Sequence, residues 1–330
     1  MATELGIALA NRGHEVHFIT YRQPVRLELL SNKIYFHVHY AIPHAYAGYM
    51  AKKMLEEEGI YIPMVTTLHG TDITLVGKHP FYRPAVNFSI NQSDVVTSVS
   101  QNLKESTLEL FDIKNEIEVV PNFIDKRKYS MHFTDCQRSL MASEDEKIIT
   151  HISNFRKVKR IPDVIHIFNK IQKQIPAKLI MVGEGPEKEG AERLCEELGI
   201  ASKVIFLGNS NEIDRILCFS DLFLLPSQTE SFGLAALEAM INRVAIISSN
   251  TGGIPEVNRQ GITGYLSDVG NVEEMAENAL KILIDDQTLE KFKNNAAKAA
   301  MDFDILKVLP LYEAIYEKAL LARHESLQQN

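Results

Sequence analysis

Two glutamates eight residues apart are the side chains of this sequence that are best suited to hold a sugar. Glu230 lies in a polar loop, and Glu238 follows about two helical turns later. A carboxylate can accept hydrogen bonds from two neighbouring hydroxyls, which is a common way to hold a ribose. We predict that Glu230 faces a sugar at a helix start and that Glu238 reaches diol hydroxyls further along the same wall. Taken alone, two such glutamates are more often an ordinary loop carboxylate and a solvated helix charge.

The elements around the two glutamates predict a strand, a loop and a helix. Residues 221–225 form a short apolar run, typical of a buried parallel strand, and residues 234–240 have helical apolar spacing. At such a loop the carboxyl end of the strand meets the unpaired N–H groups of the helix. Open α/β sheets bind phosphorylated ligands at this place.

A basic segment has the same kind of position. Residues 147–153 predict a strand, and the four cations Arg156, Lys157, Lys159 and Arg160 follow it before the next helical pattern. A charge run is often no more than a solvated patch. Its place between a strand and a helix favours a clamp for a diphosphate.

The sequence Glu-Ser-Phe-Gly-Leu-x3-Glu at residues 230–238 resembles the Glu-x7-Glu motif of the retaining glycosyltransferases of family 4. The resemblance implies an α/β protein of GT-B architecture, with two Rossmann-like domains facing a cleft. It implies that Glu230 contacts the donor sugar and Glu238 the nucleotide ribose. Backbone amides around Phe232, Gly233 and Leu234 would hold the diphosphate.

The same resemblance assigns further donor residues. Arg156 matches the first of two cations that neutralise the leaving diphosphate, and Lys159 and Arg160 both remain candidates for the second. The backbone at Gly208 and Asn209, after the strand predicted at residues 204–208, is expected to read uracil.

Four segments, residues 39–44, 66–72, 154–160 and 251–257, resemble the branch of the family that makes N-acetylglucosaminyl malate. This implies transfer of N-acetylglucosamine from its UDP donor to the 2-hydroxyl of L-malate, the first step of bacillithiol biosynthesis, with retention and without a metal or cofactor. His69 is assigned to the sugar hydroxyls and the reacting centre, although it could be a structural histidine in a turn. Tyr40, Thr67 and Asn122 are assigned to the acceptor, although Tyr40 could be a core aromatic. His69, Glu230 and Arg156 form the expected catalytic set.

Length and composition fit this interpretation. The 330 residues are enough for two domains, and a net charge of −8 argues against a nucleic-acid partner or a broad anionic-membrane footprint. We expect an acceptor-binding domain at residues 1–145, a nucleotide-sugar domain at 146–305, and a helix at 306–330 that returns to the first domain. Three scattered cysteines indicate neither zinc nor a disulfide framework, which favours a reducing cytoplasm.

The first domain has two irregularities. The chain opens with a helical pattern where such a domain should begin with a strand and a glycine loop, and residues 14–20 then predict a strand. At His37, two strand-like segments meet without the crossover that parallel strands need. We therefore expect the first strand and loop to be missing. At His37 we expect either an intact mass above the 37.3 kDa of these residues or Phe36 and Val38 on different strands.

Two other classes of function stay open. One is a different family 4 hexosyltransferase with a lipid or polysaccharide acceptor, although the helix predicted at residues 45–58 ends in three glutamates and not in a basic, membrane-docking face. The other is a non-catalytic module that binds nucleotide sugars. A homo-oligomer is possible for the malate-specific enzyme and for both of these alternatives.

Overall fold

The computed structural model describes residues 1–18, 34–129 and 138–328. The chain divides into two compact units: Met1–Phe123 together with Ile305–Asn330, and Ile124–Asp304. Each unit is an α/β layer structure with a parallel sheet, as the sequence predicted.

The first unit contains a four-stranded parallel sheet in the order β1-β2-β3-β4. The strands β2 and β3 are buried along their whole length, because β-branched and apolar side chains cover both faces. The hydroxyl of Ser100 accepts a hydrogen bond from the Leu103 amide and caps the helix that follows β3. The strands are β1 (Phe36–His39), β2 (Met64–Leu68), β3 (Val95–Ser98) and β4 (Ile117–Val119), and the helices are α1 (Ala2–Ala10), α2 (Tyr46–Glu57), α3 (Arg83–Asn91) and α4 (Gln101–Leu110).

The strand β1 contradicts one prediction. Phe36 and Val38 lie in a single strand, opposite Met64 and Thr66 of β2 in an unbroken parallel register. The expectation of two strands at this point is wrong, because the joined segment is extended throughout and finds one continuous partner. The strand predicted at residues 14–20 is absent from residues 14–18, and its last two residues lie outside the described ranges.

The second unit has a six-stranded parallel sheet in the order β10-β9-β8-β5-β6-β7. Its strands are β5 (Lys147–Ile152), β6 (Ala177–Val182), β7 (Val204–Gly208), β8 (Leu222–Leu225), β9 (Ala245–Ser249) and β10 (Gly264–Ser267). Its helices are α5 (Lys126–Tyr129), α6 (Ile161–Ile171), α7 (Lys188–Glu197), α8 (Ile213–Cys218), α9 (Leu234–Ile241), α10 (Ile254–Val257), α11 (Val272–Leu283) and α12 (Asp286–Ala300).

This strand order reverses direction between β5 and β8. The chain builds outward from β5 through β6 to β7, then returns to the other side of β5 and builds outward again through β8, β9 and β10. Ligands of open α/β sheets bind outside the carboxyl ends of the strands at such a reversal. The basic segment follows β5 and the Glu230 loop follows β8, so both meet this expectation.

The last helix, α13 (Ile305–Gln328), belongs to the first unit. Its buried residues recur at helical spacing and pack with α1 and the sheet: Ile305, Val308, Leu309, Tyr312, Ile315, Tyr316 and Ala319. The units divide at Phe123/Ile124, earlier than the predicted boundary after residue 145. Ile124 belongs to the second unit because it bridges Asp304 and its amide donates to Phe303 O at 2.9 Å.

Two features concern the chain as a whole: whether its helices could span a membrane, and the state of its cysteines. Among the described residues, every helix is too short or too polar to cross a bilayer. Cys195 is a free, buried thiol, and burial raises its pKa to about 11. Cys218 is disulfide-bonded, which the spacing of the cysteines in the sequence did not indicate.

Candidate functional site

The clamp loop, residues 153–160, carries the predicted diphosphate cations. Arg156 is exposed, and within the described ranges no acidic side chain forms an ion pair with it. Lys159 Nζ donates to Glu230 Oε2 at 2.6 Å, and each of these two side chains is no more than a fifth exposed. Lys159 therefore points into the loop that carries the sugar-binding candidate.

Arg160 points elsewhere. Its backbone is left-handed, with φ of 51°, and its Nε donates to Asp163 Oδ2 at 2.5 Å in the first turn of α6. Its guanidinium also covers Gly270, where a Cβ would lie 2.9 Å from an Arg160 nitrogen. Of the two candidates for the second cation, Lys159 is the one that the backbone directs toward Glu230.

Two glycines allow the loop after β6 to lie directly on the clamp loop. A Cβ at Gly183 would lie 1.8 Å from Ser153 O, and one at Gly185 would lie 2.2 Å from Asn154 O. The Glu187 amide then donates to Phe155 O at 3.0 Å. The Gly-x-Gly-Pro turn at residues 183–186 therefore supports the clamp loop.

The Glu230 loop, residues 226–233, is held in the same way by a second glycine pair. A Cβ at Gly252 would lie 1.9 Å from Glu230 O, and Gly253 N donates to that oxygen at 2.9 Å. The Gln228 amide donates to Val158 O at 2.8 Å and ties this loop to the clamp loop. The two loops on either side of the strand reversal are therefore joined through their backbones.

The helix α9 begins directly after the Glu230 loop. Gly233 precedes it with φ of 95°, a conformation that favours glycine, and Leu234 is its first residue. The Phe232 ring is buried against Phe303, with ring centroids 5.5 Å apart, so its side chain is core and only its backbone can face a ligand. Glu238 is half-buried on α9. The first amides of α9 have no partner within the helix, which suits the binding of an anion.

The predicted uracil-reading backbone lies at the end of β7. Gly208 has φ of 67°, and its carbonyl accepts from Gly183 N at 2.8 Å. Asn209 is exposed directly after it. The Glu184 carboxylate lies beside Gly208, 3.0 Å from where a Cβ would be. The same turn therefore touches both the clamp loop and this strand end.

In the first unit, two histidines lie together at the carboxyl ends of β1 and β2. His39 Nδ1 and His69 Nε2 are 2.8 Å apart and share one hydrogen bond. Burial lowers the pKa of His39 to about 4 and that of His69 to about 3, so both rings are neutral at pH 7. Tyr40 lies beside them with 37% of its surface exposed, and its ring centroid is 4.7 Å from that of His69. Tyr40 is therefore not a core aromatic.

Asp72 is a positioning residue that the sequence analysis missed. Its Oδ2 accepts from the Ala41 amide at 2.7 Å, and its Oδ1 accepts from the Gly70 amide at 2.9 Å. One carboxylate thereby fixes the turns that present Tyr40 and His69. Burial raises the pKa of Asp72, and its backbone hydrogen bonds act in the opposite direction. In the sequence, the signal for this positioning role was an acidic residue three positions after His69.

Thr67 does not have the role that the sequence predicted. It is fully buried, and its hydroxyl is 2.8 Å from His37 Nε2 and 2.7 Å from the Thr97 hydroxyl. The structure contradicts an acceptor contact for this side chain, because its hydroxyl is enclosed by side chains of the two neighbouring strands. Asn122 is buried to 8% exposure, so only a small part of it can meet a ligand.

Comparison with known proteins extends over nearly the whole chain. Residues 33–128 match the family Glycosyltransferase Family 4, and residues 134–299 match the family Glycosyl transferases group 1. The N-acetyl-alpha-D-glucosaminyl L-malate synthase of Bacillus anthracis is 41% identical over 358 residues, covering 97% of this chain and 93% of that protein. This chain belongs to the family 4 glycosyltransferases. It is an enzyme of that family, and the resemblance inferred from the Glu-x7-Glu motif is confirmed.

Solved structures show the same fold. The sucrose-phosphate synthase of Thermosynechococcus elongatus superposes with a TM-score of 0.75 at 19% identity, covering 87% of this chain and 73% of that chain. Anabaena HepE in complex with UDP superposes with a TM-score of 0.71 at 21% identity, covering 82% and 75%. The predicted GT-B architecture of this glycosyltransferase is therefore confirmed.

The alignment with the Bacillus anthracis protein is longer than this chain, at 358 against 330 residues. That relative therefore has internal residues without a counterpart here. Residues absent between two joined segments would explain the difference, and the continuous strand β1 shows that the residues on either side of His37 still pair as one strand.

Proposed function

We propose that this glycosyltransferase moves N-acetylglucosamine from UDP-N-acetylglucosamine to the 2-hydroxyl of L-malate, with retention at the anomeric carbon. The observation that carries the proposal is the 41% identity, over 97% of the chain, to a protein named for N-acetylglucosaminyl malate synthesis. The reaction would be the first step of bacillithiol biosynthesis.

The donor roles follow from the second unit. Glu238, on α9, would accept two hydrogen bonds from the ribose, and the first amides of α9 would bind the diphosphate. Arg156 and Lys159 would neutralise the charge that grows on the diphosphate as the anomeric bond breaks. These two cations and the helix amides are the electrostatic groups that the reaction requires, so the proposal includes no metal.

The contact between Lys159 and Glu230 gives the ammonium group a double role. An ammonium has three N–H donors, and the Glu230 carboxylate takes one of them. The others remain for phosphate oxygens, while the second carboxylate oxygen remains for a sugar hydroxyl. Lys159 would then hold the sugar-binding carboxylate and the leaving group at a fixed separation.

The mechanism that we propose is front-face attack. Retention by double displacement needs a nucleophilic carboxylate and a second acid/base carboxylate. Glu230 is the carboxylate proposed to face the sugar, and it already forms an ion pair with Lys159. In front-face attack the malate hydroxyl bonds to the anomeric carbon as the bond to the UDP oxygen breaks, and that oxygen takes the hydroxyl proton.

The acceptor roles are proposed for the first unit. The exposed Tyr40 hydroxyl suits a malate carboxylate, and Asn122 could donate through the small part that remains exposed. His69 would serve as a neutral partner for sugar hydroxyls, because its lowered pKa keeps the ring uncharged near pH 7. Because the protein is acidic overall, UDP-sugar and malate would both be bound by individual hydrogen-bond donors and cations at the site.

The experiment is a transfer assay with UDP-N-acetylglucosamine and L-malate. We expect a product with the mass of N-acetylglucosaminyl malate and an α-anomeric proton by NMR. Succinate, which has the carboxylates but no hydroxyl, is the matched acceptor control and should give no product. Transfer only to lipid or polysaccharide acceptors would identify a different hexosyltransferase. UDP binding without any turnover would identify a binding module.

A further inference from the structure

A buried histidine spans the point where β5 and β8 separate. The parallel ladder between the two strands pairs Ile149 with Leu222 and Thr150 with Phe223. At the next position His151 Nδ1 is 2.8 Å from Leu224 O, so the imidazole ring takes the place of a ladder hydrogen bond. The His151 side chain therefore links β5 to β8 at the strand reversal, just before the clamp loop and the Glu230 loop begin.

The other ring nitrogen of His151 leads into the clamp loop. Its Nε2 is 2.8 Å from the Ser153 hydroxyl, and that hydroxyl is 3.3 Å from the Phe155 amide. Leu224 O can only accept and Phe155 N–H can only donate, which fixes the two outer bonds; a neutral imidazole has one N–H, and this fixes the bond between the ring and Ser153. His151 Nδ1–H donates to Leu224 O, Ser153 O–H donates to Nε2, and the Phe155 amide donates to Ser153 Oγ.

This direction requires a neutral imidazole, since a protonated ring would have no acceptor for the Ser153 hydroxyl. His151 is fully buried, and burial lowers its pKa to about 4. The ring is therefore held in one protonation state and one tautomer throughout the neutral range.

Phe155 is the residue on which this chain of bonds acts. Its ring is fully buried and its backbone has φ of 31°, an unusual value for a residue with a side chain. Its carbonyl accepts from Glu187 N, so both backbone groups of Phe155 are held. Arg156 is the next residue, and its direction depends on this strained backbone.

We propose that His151 is a positioning residue which, through Ser153 and the Phe155 amide, fixes the loop that presents Arg156 and Lys159 to the donor diphosphate. The roles of Arg156 and Lys159 rest on the proposed function, whereas the bond chain itself does not. Because His151 is fully buried, we assign it no contact with substrate. A core histidine that merely satisfies its own hydrogen bonds would affect stability and leave the clamp loop unchanged.

Two substitutions at the same position separate these alternatives. His151→Asn places an amide N–H near the Nδ1 position, which keeps the Leu224 bond and removes the acceptor of Ser153. His151→Gln places an amide oxygen near the Nε2 position, which keeps the Ser153 bond and removes the Leu224 bond. Ser153→Ala breaks the chain at its middle without changing His151.

For the purified enzyme we expect His151→Asn to lower kcat about fivefold or more, with a smaller change in the donor KM, because the misplaced cations act mainly on the transition state. His151→Gln should retain more of kcat than His151→Asn. Ser153→Ala should lower kcat about as much as His151→Asn does. The double variant His151→Asn/Ser153→Ala should lose no more of kcat than either single variant. Equal kinetics for the Asn and Gln variants, or additive losses with Ser153→Ala, would overturn the proposal.

Hydrogen exchange of the peptide that spans residues 153–160 tests the bond chain without any transfer activity. We expect faster exchange in His151→Asn and Ser153→Ala than in His151→Gln, measured beside the thermal midpoint of each variant. Absence of transfer in the unsubstituted enzyme would refute the proposed function and leave this readout intact. Unchanged exchange in all three variants would refute the positioning role whether or not malate is the acceptor.

Discussion

Replacing Lys159 by methionine would remove one ammonium and keep most of the side-chain length. In the structure this ammonium donates to Glu230 Oε2 at 2.6 Å, and only 17% of the Glu230 side chain is exposed. Methionine would leave that carboxylate in place without its cation, and the donor diphosphate would lose one of its two proposed cations. We therefore expect an effect on transfer that is larger than on folding.

The magnitude follows from the kind of bond that is lost. A hydrogen bond to a charged group contributes about 1.5–3 kcal/mol. A loss of about 2 kcal/mol in the transition state corresponds to a roughly 30-fold lower kcat/KM for the donor. The larger share should be in kcat, because the diphosphate gains charge as the bond breaks.

Arg160→Met is the matched control. Arg160 neighbours Lys159 and carries the same charge, yet its guanidinium binds Asp163 and covers Gly270. We expect this variant to change kcat/KM by less than about fivefold, since an ion pair of this type typically contributes under about 1 kcal/mol. Steady-state rates at varied UDP-N-acetylglucosamine and saturating malate, with titration of UDP, measure both effects. An equal loss in the two variants, or a larger loss in Arg160→Met, would refute the assignment of Lys159.

Three further predictions concern the ribose, the acceptor and pH. Glu238→Ala should weaken UDP binding by about 1.5–3 kcal/mol in isothermal titration, and unchanged affinity would remove the ribose assignment. Tyr40→Phe should raise the malate KM roughly two- to tenfold with little effect on UDP affinity; an unchanged malate saturation curve would exclude the Tyr40 hydroxyl from the acceptor site. Burial lowers the pKa of His39, His69 and His151 to about 4, about 3 and about 4, against an ordinary value of 6.5. As pH falls below about 6.5, the unfolded chain therefore binds protons that the folded chain does not, and the free energy of unfolding should decline toward pH 4 by up to ~1.4 kcal/mol per pH unit for each histidine. Urea unfolding at pH 7.5, 6 and 5 measures this, and a constant midpoint would contradict it.

The donor half of the site was predictable because its signals are local. A buried strand, a polar turn and a helix start are each encoded by a few adjacent residues, and the strand order of the second unit then brings the loops after β5 and β8 together. The choice between Lys159 and Arg160 was not predictable. It depends on the left-handed backbone at Arg160, which the charge pattern does not encode.

The first unit was less predictable because its contacts are distant in sequence. The sequence pattern of β2 does not determine whether the Thr67 hydroxyl is exposed or buried. Its burial depends on the neighbouring strands and on α13, which are distant in sequence. The continuous strand β1 shows a related limit. A segment that looks like two strand ends joined at His37 can still pair as one strand when the partner offers a matching length.

The carboxylate of Asp72 holds the turns of Tyr40 and His69 together, so substitutions at these two positions should not behave independently. A search for variants with a new acceptor range would ordinarily randomise both positions separately and then combine the best of each. Here the two turns share one anchor through the amides of Ala41 and Gly70. Beneficial changes at Tyr40 and His69 should therefore be selected as pairs, in a library that keeps the aspartate fixed.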